Sequence, residues 1–297
     1  MTIDDVRRIA VIGAGQMGSQ IAMQAALHGY DVALYDVSAA QLEKAMAANH
    51  GHLERRVEKG KLGAADRDRA LGRVRAAASI EEAAGGADFV IEAVVERLED
   101  KLAVFRRLDQ VAPGGAILAT NSSYIGNSKL AAATRRPEKV VNMHFFYPPL
   151  VMRLVEVVKG EQTSDETVAV TAALAQRIGR EPVILRKELP GFLVNRILRA
   201  IQAEAYYLLE NGVASFPDID KAAQLGLNFP LGPFQLADFS GLDIGYYSRL
   251  DRYCETANPA DLPPAALKTR VERGDLGRKS GRGFYDYSTD PPTPTPD

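Results

Sequence analysis

Residues 8–18 read Arg-Ile-Ala-Val-Ile-Gly-Ala-Gly-Gln-Met-Gly, and this stretch decides the fold. Arg8–Ile12 is a short apolar run, as expected of a strand buried on both faces. It ends in G-x-G-x-x-G. Gly13 permits a tight turn, Gly15 lets a pyrophosphate approach the backbone, and Gly18 lets the next helix pack on the strand. Gln16 and Met17 open that helix, whose free N–H groups and positive dipole end suit phosphate oxygens. Such a loop is common when isolated. Here a second strand, Asp31–Tyr35, follows the helix and runs into Asp36, where an adenosine ribose would present its hydroxyls. The β-α-β context predicts a dinucleotide site at Gly13, Gly15, Gln16, Met17, Gly18 and Asp36. A carboxylate at Asp36 repels a 2′-phosphate, and Val37 and Ser38 supply no Arg to offset it. NAD is therefore expected over NADP, while FAD shares the fingerprint and is not excluded by the loop alone.

Outward from this loop, apolar runs alternate with amphipathic stretches. Helical spacing covers 16–28, 38–59, 99–110 and 165–178, with Ser38 a plausible N-cap. Strands are expected at 88–95, 116–119, 140–146, 154–158 and 182–185. The alternation predicts an α/β, Rossmann-type doubly wound, mostly parallel sheet. At Leu189-Pro190-Gly191 the pattern changes. Helical spacing follows at 192–210, 216–225, 234–239, 244–256 and 264–273, without a strong strand. A Rossmann-type dinucleotide domain over 1–187 and a smaller all-α domain over 188–297 are thus expected. The tail 288–297 (STDPPTPTPD) is Pro-rich and polar, and disorder is expected there.

Composition narrows the function. The 297 residues carry 36 Lys and Arg against 38 Asp and Glu, a net charge of -2. That balance disfavours nucleic acid as a partner. No apolar run is long enough to span a bilayer, and the N-terminus lacks a secretory h-region, so no membrane association and a cytoplasmic location are expected. The lone Cys254 rules out an intrachain disulfide and reads as a small core residue. No metal-ligand spacing stands out.

Oxidising an alcohol removes a hydride and a proton, and histidine suits the proton step because its pKa lies near neutrality. Of four histidines, His144 alone lies in an apolar strand, Val-Val-Asn-Met-His-Phe-Phe. On the next strand, Leu-Val-Glu-Val-Val, Glu156 is a lone carboxylate between valines. A buried Glu needs a partner, and His144 is the obvious one. On these strands alone, a satisfied core histidine beside an unrelated Glu explains the pattern as well.

Several segments, in order and over nearly the whole chain, resemble the L-3-hydroxyacyl-CoA dehydrogenase family: GAGQMG at 13–18, ADFVIEAVVE at 87–96, ATNSS at 119–123, HFFYP at 144–148, MRLVEVV at 152–158, PGFLVNR at 190–196, GPFQLAD at 232–238 and LGRKSGRGFYDY at 276–287. The resemblance implies reversible NAD-dependent oxidation of an L-3-hydroxyacyl-CoA in fatty acid metabolism, by a homodimer joined through the helical domain. It implies His144 as general base, Glu156 as its partner, Ser123 as a hydrogen bond to substrate oxygen, and Asn195 completing the polar set. It further implies cofactor contacts at Glu96, Lys101, Asn121, Ser123 and Lys279. Lys101 and Lys279 read equally as solvated surface charges. The family's HFFNP is HFFYP here, so Tyr147 replaces an asparagine and is expected to reshape the substrate side of the pocket. Lys59, near Arg55, Arg56 and Lys61, stands close to a CoA-binding lysine of the family, although a solvated helix face explains it too. Two other functions remain open at this stage: a dehydrogenase of a free hydroxy acid or sugar acid, and a non-catalytic NAD-binding protein.

Overall fold

The computed structural model describes residues 1–296, which divide into two compact units at Leu193/Val194. The sequence boundary at 187/188 falls a few residues early. In the first unit the strands are β1 (Arg8–Ile12), β2 (Asp31–Tyr35), β3 (Val74–Ala76), β4 (Phe89–Glu92), β5 (Ile117–Thr120), β6 (Val140–Phe145), β7 (Leu154–Val158) and β8 (Glu181–Leu185). They form one sheet in the order β3-β2-β1-β4-β5-β6-β7-β8. All neighbours pair parallel except β6 and β7, which are antiparallel.

The strands are apolar throughout because both faces are covered. Ile9 and Val11 of β1 join one core with Ile21, Leu53 and Leu174 of flanking helices. Ala10 and Ile12 point the other way, into a second core with Phe105 and Leu130. The chain leaves β1 toward β2 on one side and resumes at β4 on the other. That reversal opens a crevice at the carboxyl ends of β1 and β4, where such sheets bind ligands. Ser38 caps the helix Ala39–Glu58 as expected, accepting from the Gln41 N–H at 3.2 Å.

The second unit, from Val194 onward, is built from helices Val194–Glu210, Phe216–Leu227, Pro233–Ser240, Leu242–Thr256 and Ala265–Arg273. They surround Tyr206, Phe216, Phe234 and Phe284. Four expectations need correction. The first helix starts at Val194 rather than Phe192, because Phe192 has a φ of 45° after the Leu189-Pro190-Gly191 turn and cannot continue a helix. The unit is not purely helical: β9 (Tyr285–Asp286) and β10 (Thr293–Pro294) pair antiparallel. The tail is ordered as far as it is described, since Thr295 is buried and its Oγ1 donates to the carbonyls of Gly283 and Phe284 at 2.9 and 3.0 Å. Cys254 is exposed, not a core residue.

Candidate active site

The loop after β1 has the shape its glycines predict. Gly13 adopts a φ of 105°, and a Cβ there would lie 2.5 Å from the Ala93 carbonyl oxygen. At Gly18 a Cβ would fall 1.9 Å from the Gly13 carbonyl oxygen, so no side chain fits between helix and strand. A Cβ on Gly15 meets nothing within 4 Å, because it faces a groove of about 1020 Å³. Gly15, Gln16, Met17 and Asp36 line this groove, with Val94 and Val95 from the loop after β4. Asp36 braces the turn: one carboxylate oxygen accepts from the Ala14 N–H at 2.7 Å and the other from the Ser38 N–H at 2.9 Å. Each oxygen keeps a lone pair for a ribose hydroxyl. An open backbone cradle, a helix start and a carboxylate at the far end fit a dinucleotide.

The antiparallel pairing of β6 and β7 sets His144 directly across from Glu156. His144 Nδ1 lies 2.8 Å from Glu156 Oε2, and both side chains are buried. A carboxylate only accepts, so Nδ1 carries the proton and Nε2 presents its lone pair. Ser123 Oγ lies 3.0 Å from that Nε2 and donates to it. Phe146 and Phe192 flank the imidazole, with ring centroids at 4.7 and 5.4 Å. Phe192 reaches this place through its left-handed backbone, a conformation bulky residues adopt only under constraint. The same turn aims the Leu193 N–H at Glu156 Oε1, 3.0 Å away. Glu156 is thus the hydrogen-bond partner of His144 and not an unrelated carboxylate.

Ser123 follows β5 in a turn governed by Glu96. Glu96 Oε1 accepts from Ser122 Oγ and from the N–H groups of Ser123 and Tyr124, the latter two at 3.0 and 3.1 Å. Burial pushes the Glu96 carboxyl up, but the Lys101 charge and these donors outweigh it and hold it below the usual carboxylate range. Lys101 is not a surface charge: it is 1% exposed, with Nζ 2.7 Å from Glu92 and 3.3 Å from Glu96. Asn121 Oδ1 accepts from the Phe145 N–H at 2.9 Å, tying the end of β5 to β6. Sequence reasoning missed Glu92, Thr120 and Asn142, all fully buried. Asn142 donates to the Ser122 carbonyl at 3.1 Å, and Thr120 Oγ1 donates to Glu92 Oε2 at 2.6 Å.

The remaining expected residues lie apart from this set or in the second unit. Tyr147 is more than half exposed, in the loop between β6 and β7. Lys59 is exposed at the end of the helix Ala39–Glu58. Near it, Arg55 donates to His52 Nδ1 at 2.8 Å, and burial followed by the Arg55 charge pushes the His52 pKa down. Asn195 is the second residue of the helix Val194–Glu210 and half-buried. Lys279 is half-exposed and paired with Asp243 at 2.6 Å. Among the described residues no cluster of His, Cys, Asp or Glu is arranged to hold a metal, and no helix is long and apolar enough to cross a membrane.

The wall of the groove and the Ser123 turn are joined through two consecutive residues, since Val95 lines the groove and Glu96 holds Ser123. A dinucleotide-type groove and a buried, hydrogen-bonded histidine in the same unit fit a nicotinamide-dependent dehydrogenase. Comparison with known proteins narrows this. The families described as 3-hydroxyacyl-CoA dehydrogenase, NAD binding domain, and 3-hydroxyacyl-CoA dehydrogenase, C-terminal domain, match residues 8–189 and 191–287. The chain belongs to the 3-hydroxyacyl-CoA dehydrogenase family and is an NAD-dependent oxidoreductase. It is 41% identical to 3-hydroxybutyryl-CoA dehydrogenase of Bradyrhizobium diazoefficiens, over 98% of each chain. It is also 41% identical to 3-hydroxyadipyl-CoA dehydrogenase of Escherichia coli, covering 95% of this chain and 59% of that one. The crystal structure of (S)-3-hydroxybutyryl-CoA dehydrogenase from Ralstonia eutropha superposes with a TM-score of 0.88 at 40% identity, covering 96% of this chain and all of that one.

Proposed function

We propose that the chain oxidises the 3-hydroxyl of an L-3-hydroxyacyl-CoA to the 3-ketone, reversibly, with His144 as general base. The observation that carries this reading is the hydrogen-bonded line Ser123 Oγ–His144 Nε2 and His144 Nδ1–Glu156 Oε2, at 3.0 and 2.8 Å. The chemistry the dinucleotide supplies is acceptance of the hydride from C3. His144 Nε2 takes the hydroxyl proton. Glu156 fixes the Nδ1–H tautomer and stabilises the imidazolium that forms. Ser123 moves its hydrogen bond from Nε2 to the substrate oxygen, so the nitrogen is free when the alcohol arrives. Phe146 and Phe192 keep water from the imidazole. In the reverse direction the imidazolium returns the proton to the developing alkoxide.

Asp36 favours NAD over NADP. Gln16 and Met17 supply backbone N–H groups to the phosphates. Glu96, Lys101, Asn121 and Lys279 serve the cofactor, and Asn195 belongs with Ser123 in the catalytic polar set. Lys59 and its basic neighbours meet the CoA phosphates, and Tyr147 bounds the acyl pocket. Exposed apolar residues on the second unit's helices, among them Ile197, Tyr207, Phe239 and Ile244, support a homodimer joined through that unit. The balanced charge and single free thiol support a reducing cytoplasmic setting.

The test is a panel of 3-hydroxyacyl-CoAs of graded length beside the corresponding free acids, followed by NADH absorbance. Turnover of the CoA thioesters is expected. Equal turnover of the free acids overturns the CoA assignment, and no turnover of either overturns the reaction. Light scattering that shows only monomer at micromolar protein overturns the dimer.

A further inference from the structure

Beneath the Ser123 turn lies a fully buried ion pair. Glu92, the last residue of β4, has no exposure, and Lys101, on the helix Leu98–Val111, has 1%. Their separation is 2.7 Å. Such a pair is a poor way to stabilise a fold. Desolvating both charges offsets their attraction, and well-packed apolar side chains of similar volume hold a core at least as well. Its outward connections account for it better. Glu92 Oε1 also accepts from the Val94 N–H at 2.7 Å, fixing the loop that walls the dinucleotide groove. Glu92 Oε2 accepts from Thr120 Oγ1, and that hydroxyl oxygen in turn accepts from the Ser122 N–H at 3.1 Å. Lys101 reaches Glu96 Oε2, which leaves Glu96 Oε1 to gather Ser122, Ser123 and Tyr124.

Glu92 thus grips the Ser122–Tyr124 segment along two paths, through Thr120 and through Lys101 and Glu96. Glu96 is 40% exposed, and without Lys101 its carboxylate has solvent to turn to. Lys101 is held between the two carboxylates, 2.7 Å from Glu92 and 3.3 Å from Glu96. We propose that Glu92, acting with Lys101, is a positioning residue: it sets Ser123 Oγ at hydrogen-bond distance from His144 Nε2 and ties that placement to the wall of the cofactor groove. This inference rests on the assignment of Ser123 and His144 to proton transfer. Displacing a reacting group by about 1 Å can cost about a hundredfold in rate, so a grip of this kind has a kinetic signature.

The experiment compares Glu92→Gln, Lys101→Met and the double variant, each with and without Ser123→Ala. Rates are read on 3-hydroxybutyryl-CoA at saturating NAD, beside the thermal midpoint. Each single variant leaves a buried charge without its nearest counter-charge and should melt earlier. The double variant removes both charges and should recover the midpoint. Its kcat should nevertheless stay about ten- to a hundredfold low, with little change in KM for the thioester. In the Ser123→Ala background the double variant should cost little more, because the group it positions is gone. Thr120→Val, which cuts one path without touching a charge, should lower kcat severalfold and gives a reading if the charge variants fail to fold. A double variant with recovered midpoint and wild-type kcat overturns the proposal. So does a kcat loss that adds in full to that of Ser123→Ala, or a Thr120→Val enzyme at full rate. Ser123→Ala at wild-type kcat overturns the site assignment itself and is thereby distinguishable.

Discussion

Two buried carboxylates of the first unit and two of the second are held by different means. In the first, Glu92 faces the Lys101 ammonium and Glu156 faces the His144 imidazole, both at hydrogen-bond distance. In the second, Asp220 accepts from the N–H groups of Phe234 and Gln235 and from the Tyr285 hydroxyl, at 2.8, 3.0 and 2.8 Å. Asp238 accepts from the N–H groups of Phe284 and Tyr285, both at 2.9 Å, and from the Tyr287 hydroxyl. Burial pushes both Asp220 and Asp238 up, and their neutral donors only partly oppose it. Glu96, with Lys101 beside it, is held down instead. Glu92 and Glu156, the two with a cationic or titratable partner, lie in or beneath the candidate site. Those held by backbone and phenol donors staple the helix Pro233–Ser240 to the chain that ends the unit.

The largest expected effect breaks the first kind of pairing. His144→Gln leaves Glu156 a polar neighbour but removes the base, and kcat should fall about a hundred- to ten-thousandfold while NAD still binds. Fluorescence titration alongside the NADH assay checks both, and a substantially active variant sinks the mechanism. Glu156→Gln, which removes only the countercharge, should cost about ten- to a hundredfold.

Breaking the second kind should appear in stability alone. Asp238→Asn leaves a single acceptor oxygen for three donors and should cost about 1–3 kcal/mol of unfolding free energy, with kcat of the folded enzyme unchanged. Chemical denaturation beside kinetics decides it. A normal melting curve with a collapsed rate erases the distinction between the units.

Asp36 sharpens the contrast as a first-unit carboxylate turned toward ligand. Asp36→Ser should weaken NAD about tenfold and narrow its advantage over NADP. If the wild-type enzyme uses NADP as well as NAD, the role given to Asp36 is wrong. A smaller effect is expected at Tyr147. Tyr147→Asn should reorder the preference among acyl chain lengths more than it moves the KM for NAD. A uniform shift across substrates places the ring on the cofactor side instead.

The smallest effect is in the pH dependence. Glu96 is lowered on folding, so its contribution to stability is present above the unfolded carboxylate value and is lost as pH falls through its folded pKa. Asp220 and Asp238 are raised, so theirs is complete below the unfolded value and is lost as pH rises through their folded pKa. Subtracting the midpoint-versus-pH curves of Glu96→Gln and Asp238→Asn from the wild type should give differences of opposite slope. Parallel differences would show that the two environments do not differ as described.

Much of the site was legible because its residues break a strong pattern. Glu156 stands out among valines, and its partner had to be within reach. The same logic applies to Glu92, a lone charge in Phe-Val-Ile-Glu-Ala-Val-Val, yet its partner sits on a helix nine residues on, where a lysine looks like any solvated cation. The sheet was readable from long apolar runs. β3, with Val74 alone buried on an edge, offers no such run. The tail was misread because composition reports what a segment can bury, whereas this one is fixed by the pairing of β10 with β9 and by the Thr295 hydroxyl and N–H meeting carbonyls of Gly283 and Phe284. Cys254 was assigned by the habit of its residue type, and nothing local to that helix opposed it.

The cross-strand pairing of His144 with Glu156 has a consequence for how such enzymes can diversify. Their spacing is fixed by the hydrogen-bond ladder between the strands, with Met143 opposite Val157 and Phe145 opposite Val155 on either side. The connection over 146–153 closes a path the ladder has already set. Insertions or deletions there can alter its length while His144 and Glu156 stay in register, whereas one residue added inside either strand would turn a partner to the opposite face. Tyr147 lies in that tolerant stretch. Variation in the connection can therefore accumulate without disturbing the His144–Glu156 pair.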